Sequence, residues 1–428
     1  MADNPVNAKP VELPPVLAHV QAAVDTLMAQ EVVAGALEAI KRDDEKTLAD
    51  QIALTEVEAP PFHEEERAKE FARRLEEFGL TATIDPEGNV LARRSGTGNG
   101  PTLVLAAHLD SVFPAGTDVK VRKEGNRYFA PGISDDTRGL AALLQVLRTL
   151  EEKQIQTVGD ILFVGSVGEE GNGDLRGSKY LFNKSGIAID GFISVDGVNV
   201  NRVLRGATGS KRYRVHMDGP GGHSWNAFGL PSAIHAMGRA IAKVGDVQTK
   251  TEPKTTFTCG TIKGGTTVNS IAGHCEMELD MRSAGANELD ELEAVMLPLF
   301  AEAVKEENER WGYTEENGIK LTLEPIGHRP GGMQDDSVSV LQAARGAMGA
   351  LDIPLYGYAF ASTDHNVAVN KGGPATTLGG GGKEGFNHNV KEWYAPVDAW
   401  QGPQLTFLTS LVLVGVVGVT EPILEKRA

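Results

Sequence analysis

Five short segments that contain acidic residues or histidine lie at the ends of predicted apolar strands. They are AAHLDSVFPAG with His108 and Asp110, GISDDTRGLAALL with Asp135 and Asp136, SVGEEGNGDLRGSKYL with Glu169 and Glu170, FISVDG with Asp196, and GGGGKEGFNHNVKEWY with His388. In open α/β sheets, ligand sites form outside the carboxyl ends of the strands. We therefore expect these five segments to supply one shared site.

Each segment taken alone also has an ordinary structural explanation. An Asp-Asp pair before a helix can cap its N-terminus, and the other acidic residues and His388 could simply occupy solvated loops or turns. The set is more specific, because two divalent cations held about 3.5–4 Å apart need a bridging carboxylate with flanking histidines and carboxylates. The set also leaves one carboxylate over, which can act as a base. The sequence thus predicts a two-metal hydrolytic site.

The first segment suggests how one ligand would be oriented. Residues two apart in an extended chain share a face, so the Asp110 carboxylate can reach the ring of His108. A carboxylate that accepts from one imidazole nitrogen leaves the other nitrogen for a metal.

Composition narrows the class of protein. The 428 residues are 41% hydrophobic and 23% charged, which is typical of a soluble chain long enough for two domains. The net charge of −17 argues against nucleic acid and anionic membranes as partners. With two cysteines and ten histidines, a metal site must use nitrogen and oxygen ligands. No secretory signal is evident, and the apolar segment 405–419 is too short to span a bilayer, so we expect a cytoplasmic protein.

The remaining sequence must position these segments. Strands alternate with helices over residues 1–205 and again over 327–428, which predicts an α/β catalytic domain with a mostly parallel sheet flanked by helices. Residues 206–326 instead follow a β-α-β-β-α-β order, which predicts a compact α+β module inserted into that domain. Further predictions are helices over 15–42 and in HEEERAKEFARRLEEFGL, a hairpin in TATIDPEGNVLARR, and a buried C-terminal helix.

The motifs and their order resemble the dinuclear zinc metallopeptidase family of peptidase T, glutamate carboxypeptidase, aminoacylase and succinyl-diaminopimelate desuccinylase. The resemblance covers roughly residues 48–413 and is strongest to peptidase T-like members. It implies a zinc-exopeptidase-like catalytic domain in which Asp135 bridges two metals. It further implies that His108 and Asp196 complete one metal site and that Glu170 and His388 complete the other. The resemblance also implies that Glu169 is the general base and that Asp110 orients His108.

The same resemblance assigns the inserted module as a lid or dimerisation domain. It implies a homodimer through this module, in which His223 of GPGGHSW stabilises the oxyanion in the neighbouring subunit's site. Candidates for binding substrate are Asn269 in GGTTVNSI, Arg282 in LDMRS, Arg329 in HRPGG and Asp364 in ASTDHN. Arg282 is equally compatible with a structural ion pair, and Asp364 with a helix N-cap.

We therefore expect a metallopeptidase that cleaves short peptides, with an aminopeptidase of the di- or tripeptidase type favoured. The metals are expected to be zinc, with manganese or cobalt as alternatives. An N-acyl-amino-acid amidohydrolase or a carboxypeptidase-type hydrolase would use the same metals with a different pocket. A catalytically silent binding protein of the same fold is a third possibility, but no ligand or base is missing from the sequence.

Overall fold

The computed structural model describes residues 13–427, which form two compact units. One unit combines the chain up to Ala207 with the chain from Met333 onward, and the other is Thr208–Gly332. The second unit thus ends later than the predicted limit at residue 326. The reason is that its last long strand continues to Arg329.

The helices are α1 (Ala18–Met28), α2 (Glu31–Arg42), α3 (Asp44–Thr55), α4 (Glu65–Glu76), α5 (Thr137–Glu152), α6 (Arg176–Asn183), α7 (Ala233–Gly245), α8 (Ala286–Trp311), α9 (Ser339–Ala350), α10 (His365–Asn370) and α11 (Gln401–Val414). A short 3₁₀ turn spans Gly171–Gly173. The helix predicted over 15–42 is therefore two helices. Within the described part of the chain, no helix is long and apolar enough to cross a membrane.

The strands are β1 (Ala82–Ile84), β2 (Val90–Arg94), β3 (Thr102–His108), β4 (Arg122–Glu124), β5 (Arg127–Phe129), β6 (Asp160–Ser166), β7 (Gly191–Val195), β8 (Val203–Ala207), β9 (Gly209–Asp218), β10 (Gly222–His223), β11 (Thr255–Gly264), β12 (Ser270–Ile271), β13 (His274–Ser283), β14 (Lys320–Arg329), β15 (Gly332–Met333), β16 (Tyr358–Ala361), β17 (Ala375–Leu378), β18 (Lys383–Gly385) and β19 (Trp393–Ala395).

The larger unit is built on a six-stranded sheet in the order β1-β2-β6-β3-β7-β17. Strands β6, β3, β7 and β17 run parallel, while the predicted hairpin β1–β2 forms an antiparallel edge. This arrangement confirms the predicted α/β class. It also places the carboxyl ends of the parallel strands at one edge of the sheet, where ligand sites of such folds form.

Strand β3 shows why the sheet must be covered on both faces. All seven of its residues are buried. Leu103 and Leu105 belong to the large apolar core that includes α5 and α11, whereas Val104 and Ala106 belong to a second core with α6 and α10. A continuous apolar strand is stable only between two helical layers. The buried C-terminal helix predicted from the sequence is α11, which supplies part of the larger core.

The smaller unit contains a four-stranded antiparallel sheet in the order β11-β13-β9-β14. Helices α7 and α8 pack against one face of it, where Val215, Met217, Met277 and Leu279 are buried. Side chains alternate along a strand, so the intervening residues of β9 and β13 lie on the opposite face. That opposite face is polar and charged. Apart from the two-residue strands β10 and β12, the order of elements is the predicted β-α-β-β-α-β order.

One buried histidine in the larger unit gives a pH prediction. His365 is completely buried, its Nε2 lies 3.3 Å from the Gly206 carbonyl, and its Nδ1 faces the hydroxyls of Thr363 and Thr377 at 2.5 and 3.0 Å. Burial lowers the pKa of His365 to about 4. The unfolded chain protonates His365 near pH 6.5, whereas the folded chain does so only near pH 4. Protonation therefore favours unfolding, and the free energy of unfolding falls as the pH drops from about 6.5 toward 4.

We expect His365 to remove about 3 kcal/mol from the free energy of unfolding between pH 7 and pH 4. His365→Gln should therefore show a flatter dependence of the urea midpoint on pH than the unmodified chain. His19→Gln, at an exposed position of α1, is the control and should keep the steeper dependence. Parallel pH profiles for the His365 variant and the unmodified chain would contradict the prediction.

Candidate metal centre

Three neighbouring parallel strands deliver predicted ligands to the same edge of the sheet. His108 is the last residue of β3, Asp196 directly follows β7, and Glu170 lies four residues beyond the end of β6. The order β6-β3-β7 makes these strands adjacent. The expectation that strand ends would bring the separate sequence segments together is thus met for these three residues.

Asp135 lies between two histidines that are 280 residues apart in sequence. Its Oδ1 is 2.9 Å from His108 Nε2, and its Oδ2 is 3.1 Å from His388 Nε2. His388 Nε2 also lies 2.9 Å from Glu170 Oε1. His388 is carried by the connection between the antiparallel strands β18 and β19. One carboxylate therefore presents each of its oxygens to a different histidine, which is the arrangement that a bridging ligand requires.

The closely spaced charges of this cluster perturb one another. Burial, with the nearby charge of Asp135, raises the pKa of Asp196 to about 7. Hydrogen bonds with Asp135 and Glu170 raise the pKa of His388 to about 11. Burial opposes protonation of His108, but its hydrogen bond with Asp135 and the surrounding carboxylates raise its pKa well above the ordinary value. The cluster of carboxylates thus favours positive charge at its centre.

These residues fit a divalent metal. One ligand atom from each of His108, Asp135 and Glu170 lies within 4.8 Å of the others. The donors are imidazole nitrogens and carboxylate oxygens, a set that suits zinc, manganese and cobalt. Carboxylates as crowded as Asp135 and Asp196, both only partly exposed, repel one another unless a cation compensates their charge. The fit is therefore one of geometry, donor chemistry and charge.

Asp110 orients His108 differently from the way its spacing suggests. His108 Nδ1 lies 3.0 Å from the backbone carbonyl oxygen of Asp110, whereas the Asp110 carboxylate is 3.7 Å away. That carboxylate instead accepts backbone N–H bonds from Glu169 and Glu170, at 3.0 and 2.8 Å. Asp110 thus fixes the ring of one ligand with its backbone and the position of the Glu-Glu pair with its side chain.

The two residues of the Asp-Asp pair divide the two roles expected from the sequence. Asp135 faces the histidines, whereas Asp136 is the N-cap of α5 and accepts from the backbone N–H of Gly139 at 3.1 Å. Asp136 also accepts from the backbone N–H of His108 at 3.2 Å. The capping explanation therefore holds for the second residue of the pair, which ties the start of α5 to the end of β3.

Sequence reasoning missed two buried residues that position the site. The Glu392 carboxylate accepts from the Ser134 hydroxyl at 2.6 Å and from the backbone N–H groups of Gly132 and Ser134 at 3.0 and 2.9 Å. It thereby holds the loop that carries Asp135. The Arg67 side chain donates to the Leu109 carbonyl at 2.7 Å, next to His108. The sequence does not indicate that Arg67 is buried, because α4 is a highly charged amphipathic helix whose charged residues are expected to face solvent.

The smaller unit brings two of its predicted residues together. His223 pairs with Ser270 across the short β10–β12 ladder, and Ser224 donates its backbone N–H to the Asn269 carbonyl at 3.0 Å. His223 is exposed and accepts from the backbone N–H of Trp225 at 3.2 Å.

The two predicted arginines occupy different settings in this unit. The Arg282 side chain pairs with Asp280 at 2.7 Å, which is the structural ion pair given as its alternative. Arg329 is buried at the end of β14.

The Asp364 carboxylate is buried and is hydrogen-bonded to two serine hydroxyl groups. Its carboxylate accepts hydrogen bonds from Ser166, at the end of β6, and from Ser178 in α6. Its side chain makes no capping hydrogen bond to α10. A carboxylate that is 1% exposed and bonded to two serines is not placed to meet a substrate amine. We therefore interpret Asp364 as a link between β6 and α6.

Comparison with known proteins identifies the family of this chain. Residues 104–408 match the Peptidase family M20/M25/M40. An uncharacterised protein of Bacillus subtilis, YqjE, is 24% identical over 364 residues, which cover 82% of this chain and 94% of YqjE. This chain therefore belongs to the M20/M25/M40 peptidase family.

Solved structures show the same fold. The aminopeptidase PepT of Bacillus cereus superposes with a TM-score of 0.70 and a tripeptidase of Staphylococcus aureus with 0.71. Each is 22% identical, and each match covers 86% of this chain and 97% of the other. The YXEP protein of Bacillus subtilis, described as a dinuclear metal-binding peptidase, has a TM-score of 0.63 at 15% identity over 87% of this chain and 99% of its own. The family and fold identify the chain as a hydrolase of peptide or other amide bonds, which confirms the predicted class of enzyme.

Proposed function

We propose that this chain is a two-metal aminopeptidase that cleaves di- or tripeptides. The observation that carries the proposal is the position of Asp135, whose two oxygens face two different histidines. A carboxylate in this position can bridge two cations, whereas a mononuclear site would need only one of its oxygens.

The remaining ligands divide between the two cations. His108 and Asp196 would hold one, and Glu170 and His388 the other, with Asp135 shared. When bound, the metals would polarise the scissile carbonyl and lower the pKa of the attacking water. Zinc is the expected metal, and manganese or cobalt would suit the same donors.

Glu169 would act as the general base. It is buried beside the ligand Glu170, and its backbone N–H is fixed by the Asp110 carboxylate. Glu169 would take a proton from the attacking water and deliver it to the leaving amine, as a carboxylate beside a two-metal centre can do. In this scheme Asp110 is a positioning residue, because it acts on Glu169 and His108 rather than on the substrate.

The choice of short peptides over other amides is supported by two structural neighbours, the aminopeptidase PepT and the staphylococcal tripeptidase. The alternatives use the same catalytic centre: an amidohydrolase would remove an N-acyl group, and a carboxypeptidase would release the last residue. A silent binding protein would cleave none of these substrates.

The discriminating experiment compares the tripeptide Ala-Gly-Leu, whose three residues differ, with its N-acetylated form, using metal-loaded protein and chromatography of the products. An aminopeptidase should cleave the free tripeptide with a kcat/KM at least about tenfold higher, because acetylation removes the charged amine that its site must bind. Release of the N-terminal alanine supports the proposal. Preferential release of acetate, release of only the C-terminal leucine, or no cleavage would each contradict it.

We further infer a homodimer in which the smaller unit pairs with its copy. His223 would then stabilise the oxyanion in the partner's site, and Asn269, Arg282 and Arg329 would bind the substrate carboxylate or the tetrahedral intermediate. The proximity of His223 and Asn269 within this unit supports a common role for them. Sedimentation equilibrium of the purified chain measures the assembly directly, and a monomer would exclude the cross-subunit role.

A further inference from the structure

The polar face of the smaller unit's sheet carries a second cluster of metal-ligating side chains. His216 lies on β9, and His274 and Glu276 lie on β13, the strand beside it. The register pairs His216 with Glu276, and the period of two along β13 puts His274 on the same face. One ligand atom from each of these three residues lies within 4.8 Å of the others.

Both histidines direct one ring nitrogen at the same carboxylate oxygen. His216 Nδ1 and His274 Nε2 each lie 3.8 Å from Glu276 Oε2. This separation is too long for a hydrogen bond. Two imidazole nitrogens and one carboxylate oxygen therefore lie close together, and neither nitrogen is hydrogen-bonded to that oxygen.

The other nitrogen of each ring is fixed by a different carboxylate. His216 Nε2 lies 3.2 Å from Glu324 Oε2, and His274 Nδ1 lies 2.7 Å from Asp218 Oδ1. When each ring donates to that outer carboxylate, its inner nitrogen carries a lone pair directed toward Glu276. A carboxylate, a histidine and a cation in line is the usual arrangement of histidine ligands in metalloproteins.

The spacing suits a small divalent cation. Tetrahedral zinc with bonds of about 2.0–2.1 Å separates its ligand atoms by about 3.3 Å, so 3.8 Å needs only a small inward rotation of the side chains. The side chains of His216 and Glu276 are 23% and 27% exposed, so a cation can reach the cluster from solvent. The second oxygen of Glu276 lies 3.6 Å from the exposed Lys263 ammonium and leaves Oε2 available.

We propose that His216, His274 and Glu276 form a zinc-binding site in the smaller unit, separate from the candidate catalytic centre. A bound ion would join β9 to β13 across the middle of the sheet, and Glu324 would extend the link to β14. Its ligands all come from this one unit, so the site does not depend on the proposed peptidase activity.

The test is the zinc content of the full chain after equilibrium dialysis against Zn²⁺, measured by elemental analysis. The unmodified chain should hold one more zinc ion per chain than His216→Gln or His274→Gln. Glutamine keeps the polar surface but lacks the imidazole lone pair. A zinc-edge anomalous map of crystals should place the additional ion between the three side chains.

Two further variants serve as a control and as a second test of the ligand set. His235→Gln removes a histidine that is 69% exposed on α7 of the same unit, and it should keep the full zinc content. Glu276→Gln preserves side-chain shape and should lose the same single ion, which covers the case in which a histidine variant fails to fold. Equal zinc content in the unmodified chain and the folded variants would overturn the proposal. Peptide hydrolysis measured in parallel should be unchanged by these variants, so failure of the proposed function would be seen separately.

Discussion

Replacing Glu169 by glutamine is expected to lower kcat by about 100- to 10,000-fold while both metal ions remain bound. Glutamine has nearly the shape of glutamate, but its amide cannot take a proton from water. The backbone bond from residue 169 to the Asp110 carboxylate does not involve the replaced side chain, so the Glu-Glu turn should keep its position. The measurement is steady-state peptide hydrolysis together with elemental analysis of the same protein.

Glu170→Gln is the matched comparison, because it makes the same chemical change one residue further along the chain. Glu170 Oε1 lies beside His388, so this variant should lose metal as well as activity. Glu66→Gln, on the exposed surface of α4, should change neither quantity. Retained activity in a metal-replete Glu169 variant would exclude Glu169 as the base and leave the assignment of ligands in place.

The residues at strand ends were predictable because burial and topology constrain them together. An apolar strand such as β3 must be covered on both faces, and parallel strands place their carboxyl ends at one edge. His108, Glu170 and Asp196 could therefore be grouped from the sequence before any distance was known. His388 could be included only through the order of the motifs, since it lies in a loop of the β18–β19 hairpin rather than at an end of the main sheet.

The supporting contacts of the site were less predictable, because they use groups that have no sequence pattern. His108 is oriented by the backbone carbonyl of Asp110, and every residue has such a carbonyl. Glu392 supports the Asp135 loop from more than 250 residues away. Its sequence context, NVKEWY, resembles an ordinary solvated loop, and only the fold shows that the carboxylate is buried.

Asp364 illustrates a different limit of sequence reasoning. Its place before α10 suggested a cap, and its motif suggested contact with substrate. Both interpretations depend on the direction of the side chain, which is determined by its hydrogen bonds to two serines nearby in space. Ser166 and Ser178 come from two other elements, and their hydroxyl groups satisfy both carboxylate oxygens. Long-range partners of this kind are set by tertiary packing rather than by local sequence.

Replacing Asp135 by asparagine is expected to deplete both metal ions and to reduce peptide hydrolysis to background, whereas His388→Ala should deplete chiefly one ion. Asparagine keeps the shape of the side chain, but one of its two polar atoms becomes an NH₂ group that cannot act as a ligand. Because each oxygen of Asp135 faces a different histidine, losing the negative charge and one oxygen weakens both sites. His388 reaches the cluster only from the side of Asp135 Oδ2 and Glu170.

Asp136→Asn is the control for a folding defect at the same place, since Asp136 caps α5 and bonds the backbone of His108. Asparagine is also a good N-cap, but its NH₂ group cannot accept the second of these two N–H bonds, so this variant should keep both ions and lose about 1–3 kcal/mol of stability. Elemental analysis after dialysis against a fixed concentration of zinc compares the three variants with the unmodified chain, so that an ion bound in the smaller unit contributes equally to every value. Two ions per catalytic centre in the Asp135 variant would overturn its bridging role, because the loss of a bridging ligand weakens the binding of both cations.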